Sequence, residues 1–487
     1  PAASTTKPMS ADPNDAAARP RLPAVRLDAA GKRHVDLRAV TLLALPLMLN
    51  SAMQLVLNLT DTWFIGRLST EAMAAMGAVH FLAIVFLLAL GGVGLAVQTF
   101  VAQAYGARLS RRAAMNTWQG LWATVLLAPA FFVIAFMGST LLAPFGLAPT
   151  VVDQAVDWWQ PRLLGGPLAV ALWGLSGFFN GLGKTRVTLF VMLVVAAANA
   201  VLNAVFIFGF GWGMAGSAWA TTTSLAIGVG ISLALFLAPA LQQPYRTRLM
   251  WRLRGRALRT LVSVGIPTGM FPAVDLVAIW LFQLMQVKLG VVQGAATQIV
   301  MMLTSIAYLP AIGIAIAGTT LVGQSIGAGD RDWAQRLGNT IIAISAVYMG
   351  CVGLGIALAG PWLVPVFTDL SQPGAADVIA LSLRIVWIAG AYQMFDALNL
   401  ASAFCLRGAG DVKVPTLYLI LLAWFGFVPL SHMLSFGPGE GWVNFLPQLG
   451  WGTIGGWWAS LAYIFLLGVM MLARWRSPAW RSMRLQG

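Results

Sequence analysis

The chain has 487 residues, of which 59% are hydrophobic and only 9% charged, and its mean hydropathy is +0.79. A soluble domain carries about 25% charged residues, so this composition excludes a soluble enzyme or binding module. The net charge of +14 would suit a nucleic-acid partner, but the placement of the basic residues argues against one.

Twelve apolar runs, each long enough at ~20 residues to span a bilayer, lie near 39–64, 72–100, 116–143, 155–180, 187–210, 214–239, 258–287, 294–324, 338–367, 378–406, 414–436 and 453–473. With the amino terminus inside, only Arg67, Arg162, Lys288 and Arg384 of the 30 basic residues fall on the outer side. That is the positive-inside pattern. It predicts a multi-pass membrane protein with both termini cytoplasmic; the membrane expected is a bacterial cytoplasmic (inner) membrane. The partner of the positive charge is then the lipid bilayer, not nucleic acid.

In chain order, residues 1–37 are rich in Ala, Pro and charge and read as a disordered cytoplasmic tail. The first run carries Asn50, Gln54, Asn58 and Asp61. Their spacing of 4, 4 and 3 draws one polar stripe along a helix. A stripe that ends on a carboxylate is hard to explain against lipid, so Asp61 is a candidate functional residue. His80, in the second run, reads as a packed histidine. Trp158 and Trp159 sit where an interfacial aromatic belt is expected. Gly181-Leu-Gly-Lys-Thr185 ends like a phosphate-binding loop, but Phe178 stands where that motif needs its first glycine. No nucleotide site is expected.

Asn199 and Asn203 follow i, i+4 spacing in the fifth run. They either face the same cavity as the first stripe or bond across helices. A basic stretch, 241–257, then links an N-lobe (38–240) to a C-lobe (258–475), which is followed by a tail (476–487). The seventh run holds Pro267, Pro272 and Asp275, with Gln283 two turns beyond the acid on the same face. Pro272 cannot donate to the carbonyl of Thr268, so that carbonyl is freed near mid-membrane.

The tenth run contains Tyr392, Asp396 and Asn399 at i, i+4, i+7, sharing one face. An Asp at the centre of a spanning helix costs about 2.5–3.5 kcal/mol, whereas each large apolar residue returns about 0.3–0.6. Asp396 is therefore expected to turn toward a bundle interior or wet cavity. The remaining acids, Asp411 among them, fall in predicted loops or tails and read as solvated. No embedded Lys or Arg near mid-membrane is available to neutralise Asp61, Asp275 or Asp396, so these three should hold a proton, a cation or a cationic substrate. Cys351 and Cys405 lie inside spans and imply neither a disulfide framework nor a metal site.

The two halves repeat. At one constant offset Pro46 meets Pro267, Thr99 meets Thr320, and Gln103 and Gly106 meet Gln324 and Gly327. Further on, Gly181-Leu-Gly meets Gly408-Ala-Gly. Six runs per half is an even number, so the repeat is parallel, about an axis along the membrane normal. The fold class is all-α and polytopic: twelve transmembrane helices in two six-helix lobes. The acids break the symmetry, since Asp275 meets Gln54 and Asp61 meets Phe282.

Asp61-Thr-Trp-Phe-Ile-Gly-Arg, Gln103-Ala-Tyr-Gly, Gln324-Ser-Ile-Gly-Ala-Gly and Tyr392-Gln-Met-Phe-Asp, followed by Leu406-Arg-Gly-Ala-Gly, carry a resemblance. Over residues 38–475 the chain resembles the multidrug and toxic compound extrusion (MATE) family, in its NorM-type branch. The resemblance implies a secondary antiporter, not an enzyme, exporting amphipathic, mostly cationic drugs against Na⁺ or H⁺ by alternating access. It implies no cofactor and no metal other than Na⁺. It carries coupling roles onto Asp61, Asp275, Asp396 and Tyr392. Gln54, Asn58, Asn199, Asn203, Gln283 and Asn399 are further candidates for contact with substrate or ion. In the branch whose proton site lies wholly in the first lobe, the fifth helix carries an Asp where this chain has Asn203. A monomer is expected. The alternative is a lipid-linked saccharide flippase of related architecture, which would need basic residues in its cavity.

Overall fold

In a computed structural model, the residues described are 22–143, 148–368 and 374–483. Eleven of their helices are long and apolar enough to cross a membrane, or twelve spans if one bent pair counts as a single crossing. The spans are Leu37–Gly66, Thr70–Gly106, Ser110–Phe136, the bent pair Pro149–Leu164 and Gly166–Gly181, Thr185–Gly209, Gly213–Phe236, Gly255–Leu289, Val291–Gly327, Arg331–Val366, Ala375–Ala409, Lys413–Ser435 and Gly452–Arg476. They are called the first to the twelfth span below.

Side chains cap several starts: Asp36 accepts from the amide of Ala39, Ser69 from Ala72 and Asp330 from Trp333. Such caps satisfy backbone donors that a helix end leaves free. The fifth and eleventh spans each widen into a π turn, at Ala204–Gly209 and Ala423–Phe427. The fourth span bends by 41°, and the break falls at Gly165.

Each half packs around its second member. The second span lies against the fourth, and the eighth lies against the tenth. The halves meet where the second span touches the seventh and the eighth touches the first. This seam is close because it is lined by glycine. A Cβ on Gly92 would stand 2.1 Å from the Gly265 carbonyl oxygen, and one on Gly313 would stand 2.3 Å from the Met48 nitrogen.

On the face that carries the inter-lobe linker, the seam is closed by hydrogen bonds that cross over in pairs. Gln103 Nε2 donates to the Gly408 carbonyl (3.0 Å), and Gln324 Nε2 donates to the Gly181 carbonyl (2.8 Å). Thr99 Oγ1 donates to the Arg407 carbonyl (3.1 Å), and Thr320 Oγ1 donates to the Asn180 carbonyl (3.0 Å). Every donor and every acceptor is the repeat equivalent of its counterpart. The acceptors are last-turn carbonyls of the fourth and tenth spans, where a helix has no internal donors left. Gly183 (φ 78°) and Gly410 (φ 89°) follow in the left-handed region that ends such helices. The Arg407 guanidinium also donates across the seam, to the Leu95 carbonyl.

Three expectations need correction. Part of the amino-terminal tail is folded: Val25–Leu27 pairs antiparallel with Arg33–Val35. The Asp28 carboxylate accepts from the amides of Ala30 (2.9 Å) and Lys32 (2.8 Å), which fixes the turn. The Lys32 amide and the His34 ring, 2.9 Å away, hold its carboxyl below the usual range. The hairpin docks on the start of the ninth span through Arg33–Asp330 (2.9 Å) and Trp333 Nε1 to the Pro23 carbonyl (3.0 Å). The rest of the tail, residues 1–21, lies outside the described residues. Second, Asp411 is not solvated. It is 1% exposed and pairs with Arg474 at 2.7 Å, which ties the twelfth span to the turn after the tenth. Third, Arg162, assigned to the outer side, lies within the fourth span with its Nη1 buried.

The linker is a strap. Pro239–Tyr245 forms a short helix and Thr247–Leu249 a single 3₁₀ turn. The third span then holds it: Trp118 Nε1 donates to the Thr247 carbonyl (2.7 Å) and Trp122 Nε1 to the Trp251 carbonyl (2.6 Å). Gln119 brackets the end, donating to the Arg252 carbonyl (3.0 Å) and accepting from the Arg254 amide (3.0 Å).

Candidate functional site

The embedded acids form two clusters, one per lobe. In the first lobe Asp61 is 8% exposed. Its Oδ1 accepts from Asn203 Nδ2 (2.8 Å) and Asn199 Nδ2 (3.2 Å), and its Oδ2 accepts from Thr221 Oγ1 (3.0 Å). Both asparagines are wholly buried. Their i, i+4 spacing puts both amides on the face that meets the first span, and the π turn begins at the next residue, Ala204. π turns recur at functional sites because they re-aim side chains. Arg162 lies within electrostatic reach of Asp61 and of His80. The imidazole is packed among rings, 5.7 Å from Phe81 and 6.0 Å from Trp158 between centroids.

The rest of the first-span stripe does not join this cluster. Gln54 is exposed and Asn58 half-buried. Neither is among the hydrogen-bond donors that reach Asp61; the contact described for Asn58 is its backbone carbonyl, which accepts from Thr62 Oγ1 (2.8 Å).

The second lobe gathers Asp275 and Asp396 from the seventh and tenth spans. Tyr463 of the twelfth span donates its hydroxyl to Asp275 Oδ1 (2.8 Å), and its ring stacks on Phe427 with centroids 4.7 Å apart. Asn399 Nδ2 donates to Asp396 Oδ1 (3.3 Å). The charge of Asp275 is felt at Asp396, and the phenols of Tyr308, Tyr392 and Tyr463 feel both acids. Four spans thus converge on one acidic, phenol-lined site. Asp396 is 4% exposed, whereas Asp275 keeps part of its surface open. Gln283 is not drawn in; its Nε2 donates to the Gly294 carbonyl (3.2 Å) and braces the turn between the seventh and eighth spans. Thr268 is buried, with its hydroxyl on the Val264 carbonyl at 2.7 Å.

The two clusters differ in charge. Asp61 has three neutral donors and an arginine nearby. Asp275 and Asp396 have one described donor each and no basic side chain among their described electrostatic neighbours. Among the described residues, no group of three or more His, Cys, Asp or Glu could hold a metal ion. Sequence reasoning missed Thr221, Tyr308, Tyr463 and Arg162. The polar run Thr221–Thr223 in a small-residue helix was a signal for the first. Nothing in the spacing pointed to the phenols, because which spans pack together is not a local property.

A family model described as MatE matches residues 46–205 and 277–430, one stretch in each lobe and more than half of the chain. "Multidrug resistance protein NorM" of Burkholderia vietnamiensis is 28% identical over 464 residues, covering 90% of this chain and 92% of its own. "Probable multidrug resistance protein NorM" of Mesorhizobium japonicum is 28% identical over 461 residues, covering 90% and 93%. A solved structure titled as an outward-facing multidrug resistance MATE family transporter superposes with a TM-score of 0.80 at 17% identity, covering 91% of this chain and 96% of that one. Another, a MATE protein in a straight conformation, gives 0.79 at 18% identity, with 91% and 99% covered. Those two likenesses show the fold: two lobes of membrane-spanning helices. By the match of both lobes to the family model, the chain belongs to the MatE family of membrane transporters.

Proposed function

We propose that this chain is a multidrug antiporter that exports amphipathic, mostly cationic compounds in exchange for Na⁺ or H⁺. The observation that carries this reading is the pair Asp275 and Asp396, two embedded acids in one site with no basic partner described. An embedded charge without a partner is costly. A proton, a Na⁺ or a cationic drug each relieves that cost. Carboxylates and phenols are oxygen ligands, which suit a hard cation. Ion and drug then compete for one charge, and each binds best when the other is absent; that reciprocity is sufficient for exchange. Tyr392 and Asn399 line the site, and Asp61 with Asn199 and Asn203 forms the first-lobe counterpart.

In this reading the lobes 38–240 and 258–475 move as bodies, joined by 241–257, and one chain holds a complete site and works as a monomer. Both termini and the linker face the cytoplasm. A cysteine at Arg254, in a Cys351→Ala, Cys405→Ala background, is expected to resist an impermeant thiol reagent applied from outside; labelling there would invert the topology. Proteoliposomes test the exchange itself. Drug efflux is expected to follow an imposed inward gradient of Na⁺ or of protons and to stall without one. Equal efflux with neither gradient would reject antiport.

A further inference from the structure

We propose that the Val25–Val35 hairpin is a clasp across the seam on the linker face, holding the first span of one lobe to the ninth span of the other, and that it must let go of the ninth span each time the lobes part there. The inference rests on the exchange reading given above, in which that face opens and shuts.

The hairpin lies ahead of residue 46, where the match to the family model begins, so it is no part of the matched fold. On one side it is fused to the first span. Its second strand ends at Val35, Asp36 caps the helix and the span starts at Leu37. The Asp36 amide donates to the Ala24 carbonyl (2.9 Å), which ties the first strand to the same point. Ala24 itself sits in the left-handed region (φ 50°), which a residue with a Cβ seldom adopts unless its surroundings hold it there. No free chain separates the hairpin from the span, so the two move together.

On the other side the hairpin rests on the first turn of the ninth span. Arg33 Nη1 pairs with Asp330 Oδ2 at 2.9 Å, and Trp333 Nε1 donates to the Pro23 carbonyl at 3.0 Å. Beneath them Leu22, Ala24, Val25 and Val35 pack against a core cluster that includes Val40 of the first span and Trp333 of the ninth. Within its own lobe the first span packs on the fifth, whereas the ninth packs on the eighth and tenth. Parting the lobes on this face draws the starts of the first and ninth spans away from each other, and the hairpin cannot follow both. The covalent side holds. The yielding side is one ion pair, one hydrogen bond and a small apolar contact. The Arg33 and Asp330 side chains are 52% and 28% exposed, and a pair so open to water is worth little. That weakness suits a latch that releases in every cycle.

The same turn of the ninth span carries a second docked segment that supplies a control. The 3₁₀ turn Ala479–Ser482, after the twelfth span, reaches it through Arg481–Asp332 (2.9 Å). The ninth and twelfth spans belong to one lobe, so this contact travels with that lobe and is not loaded when the seam opens.

Two measurements test the clasp. Spin labels at Arg112 of the third span and Lys413 of the eleventh read the separation of the lobes on this face, away from the hairpin. Arg33→Glu sets two acids against each other and is expected to raise the long-distance population several-fold. Adding Asp330→Asn, which keeps a helix-capping side chain, removes the repulsion and is expected to bring the distribution partway back. Asp332→Asn is expected to leave it as it is. A distribution unmoved by Arg33→Glu, or moved equally by Asp332→Asn, would overturn the proposal. The second measurement joins Arg33→Cys to Asp330→Cys with a reducible bismaleimide, in a Cys351→Ala, Cys405→Ala background, before reconstitution. Drug efflux is expected to fall several-fold in the cross-linked protein and to recover on reduction. Undiminished efflux with the cross-link in place would show that the hairpin never has to release, and the clasp would be wrong. Efflux that fails under either gradient without the cross-link counts against antiport instead, and the spin-label distances then decide the clasp by themselves.

Discussion

Replacing Asp275 or Asp396 by Asn is expected to abolish coupled efflux while leaving expression and membrane insertion intact. Asn keeps the volume and a polar tip, so the packing of the seventh and tenth spans has little reason to change. What it removes is the charge for which ion and drug compete. A coupling of this kind is about 1–3 kcal/mol, or ~5–150-fold in affinity. Drug affinity in detergent should therefore vary over about that range with pH or Na⁺ in the wild type, and hardly at all in either variant. The sign follows from competition: affinity for a cationic drug rises as protons or Na⁺ are withdrawn. Tyr463→Phe is milder. It deletes the one described donor to Asp275 and leaves both acids, so it should shift the ion dependence without erasing it. Drug resistance in cells making Asp275→Asn or Asp396→Asn at wild-type level would defeat the assignment.

The second large effect is expected at the crossed hydrogen bonds on the linker face. A Cβ on Gly106 would stand 1.9 Å from the Gln324 carbonyl oxygen, and one on Gly327 would stand 2.0 Å from that of Gln103. Real Cβ atoms do not come so close to backbone, so Gly106→Val or Gly327→Val must part the lobes. Gln103→Ala and Gln324→Ala act more gently. Each strips a buried last-turn carbonyl of its donor, at a cost of about 1–3 kcal/mol. The two losses are equivalent by the repeat and should be similar in size. Spin labels at Arg112 and Arg331, at the starts of the third and ninth spans on that face, report the result. The glycine variants are expected to lengthen and broaden the distance distribution and to lower efflux several-fold, with the glutamine variants between them and the wild type. An unchanged distribution in Gly106→Val would show that this contact does not hold the lobes together.

Much of this was legible in the sequence. Length and hydropathy count the spans, and the repeat pairs Gln103 with Gln324 and Thr99 with Thr320. What the repeat could not reveal is that each of these side chains binds the opposite lobe. That is a property of the axis between the halves, and no single helix records it. The embedded acids were readable because the bilayer makes each of them expensive. Their phenol partners were not, since Tyr308 and Tyr463 look like ordinary interfacial or core tyrosines until the eighth and twelfth spans are set beside the seventh. Arg162 was misread for a definite reason. A charge near the end of an apolar run is assigned to the nearer surface, but the outer segment of this span is held against the sixth through Thr222 and the Pro161 carbonyl, and the Arg162 Nη1 is buried there. Asp411 was misread likewise, because its partner Arg474 lies 63 positions away. The hairpin at Val25–Val35 was hidden by a composition that looks disordered when averaged over the whole tail.

The strap on the third span determines where the molecule can flex. It is fastened as far as Arg254, and the seventh span begins at the next residue, Gly255. No slack chain is left between the lobes, so the covalent crossing acts as a pivot at one edge of the membrane. From that point the seventh span runs 35 residues, a lever of about 50 Å at 1.5 Å per residue. A rotation of about 10° swings its far end by about 9 Å, enough to open or shut a drug-sized mouth, while moving atoms ~10 Å from the pivot by only ~2 Å. Rupture of four hydrogen bonds beside the fulcrum is thereby geared to a wide excursion at the opposite face.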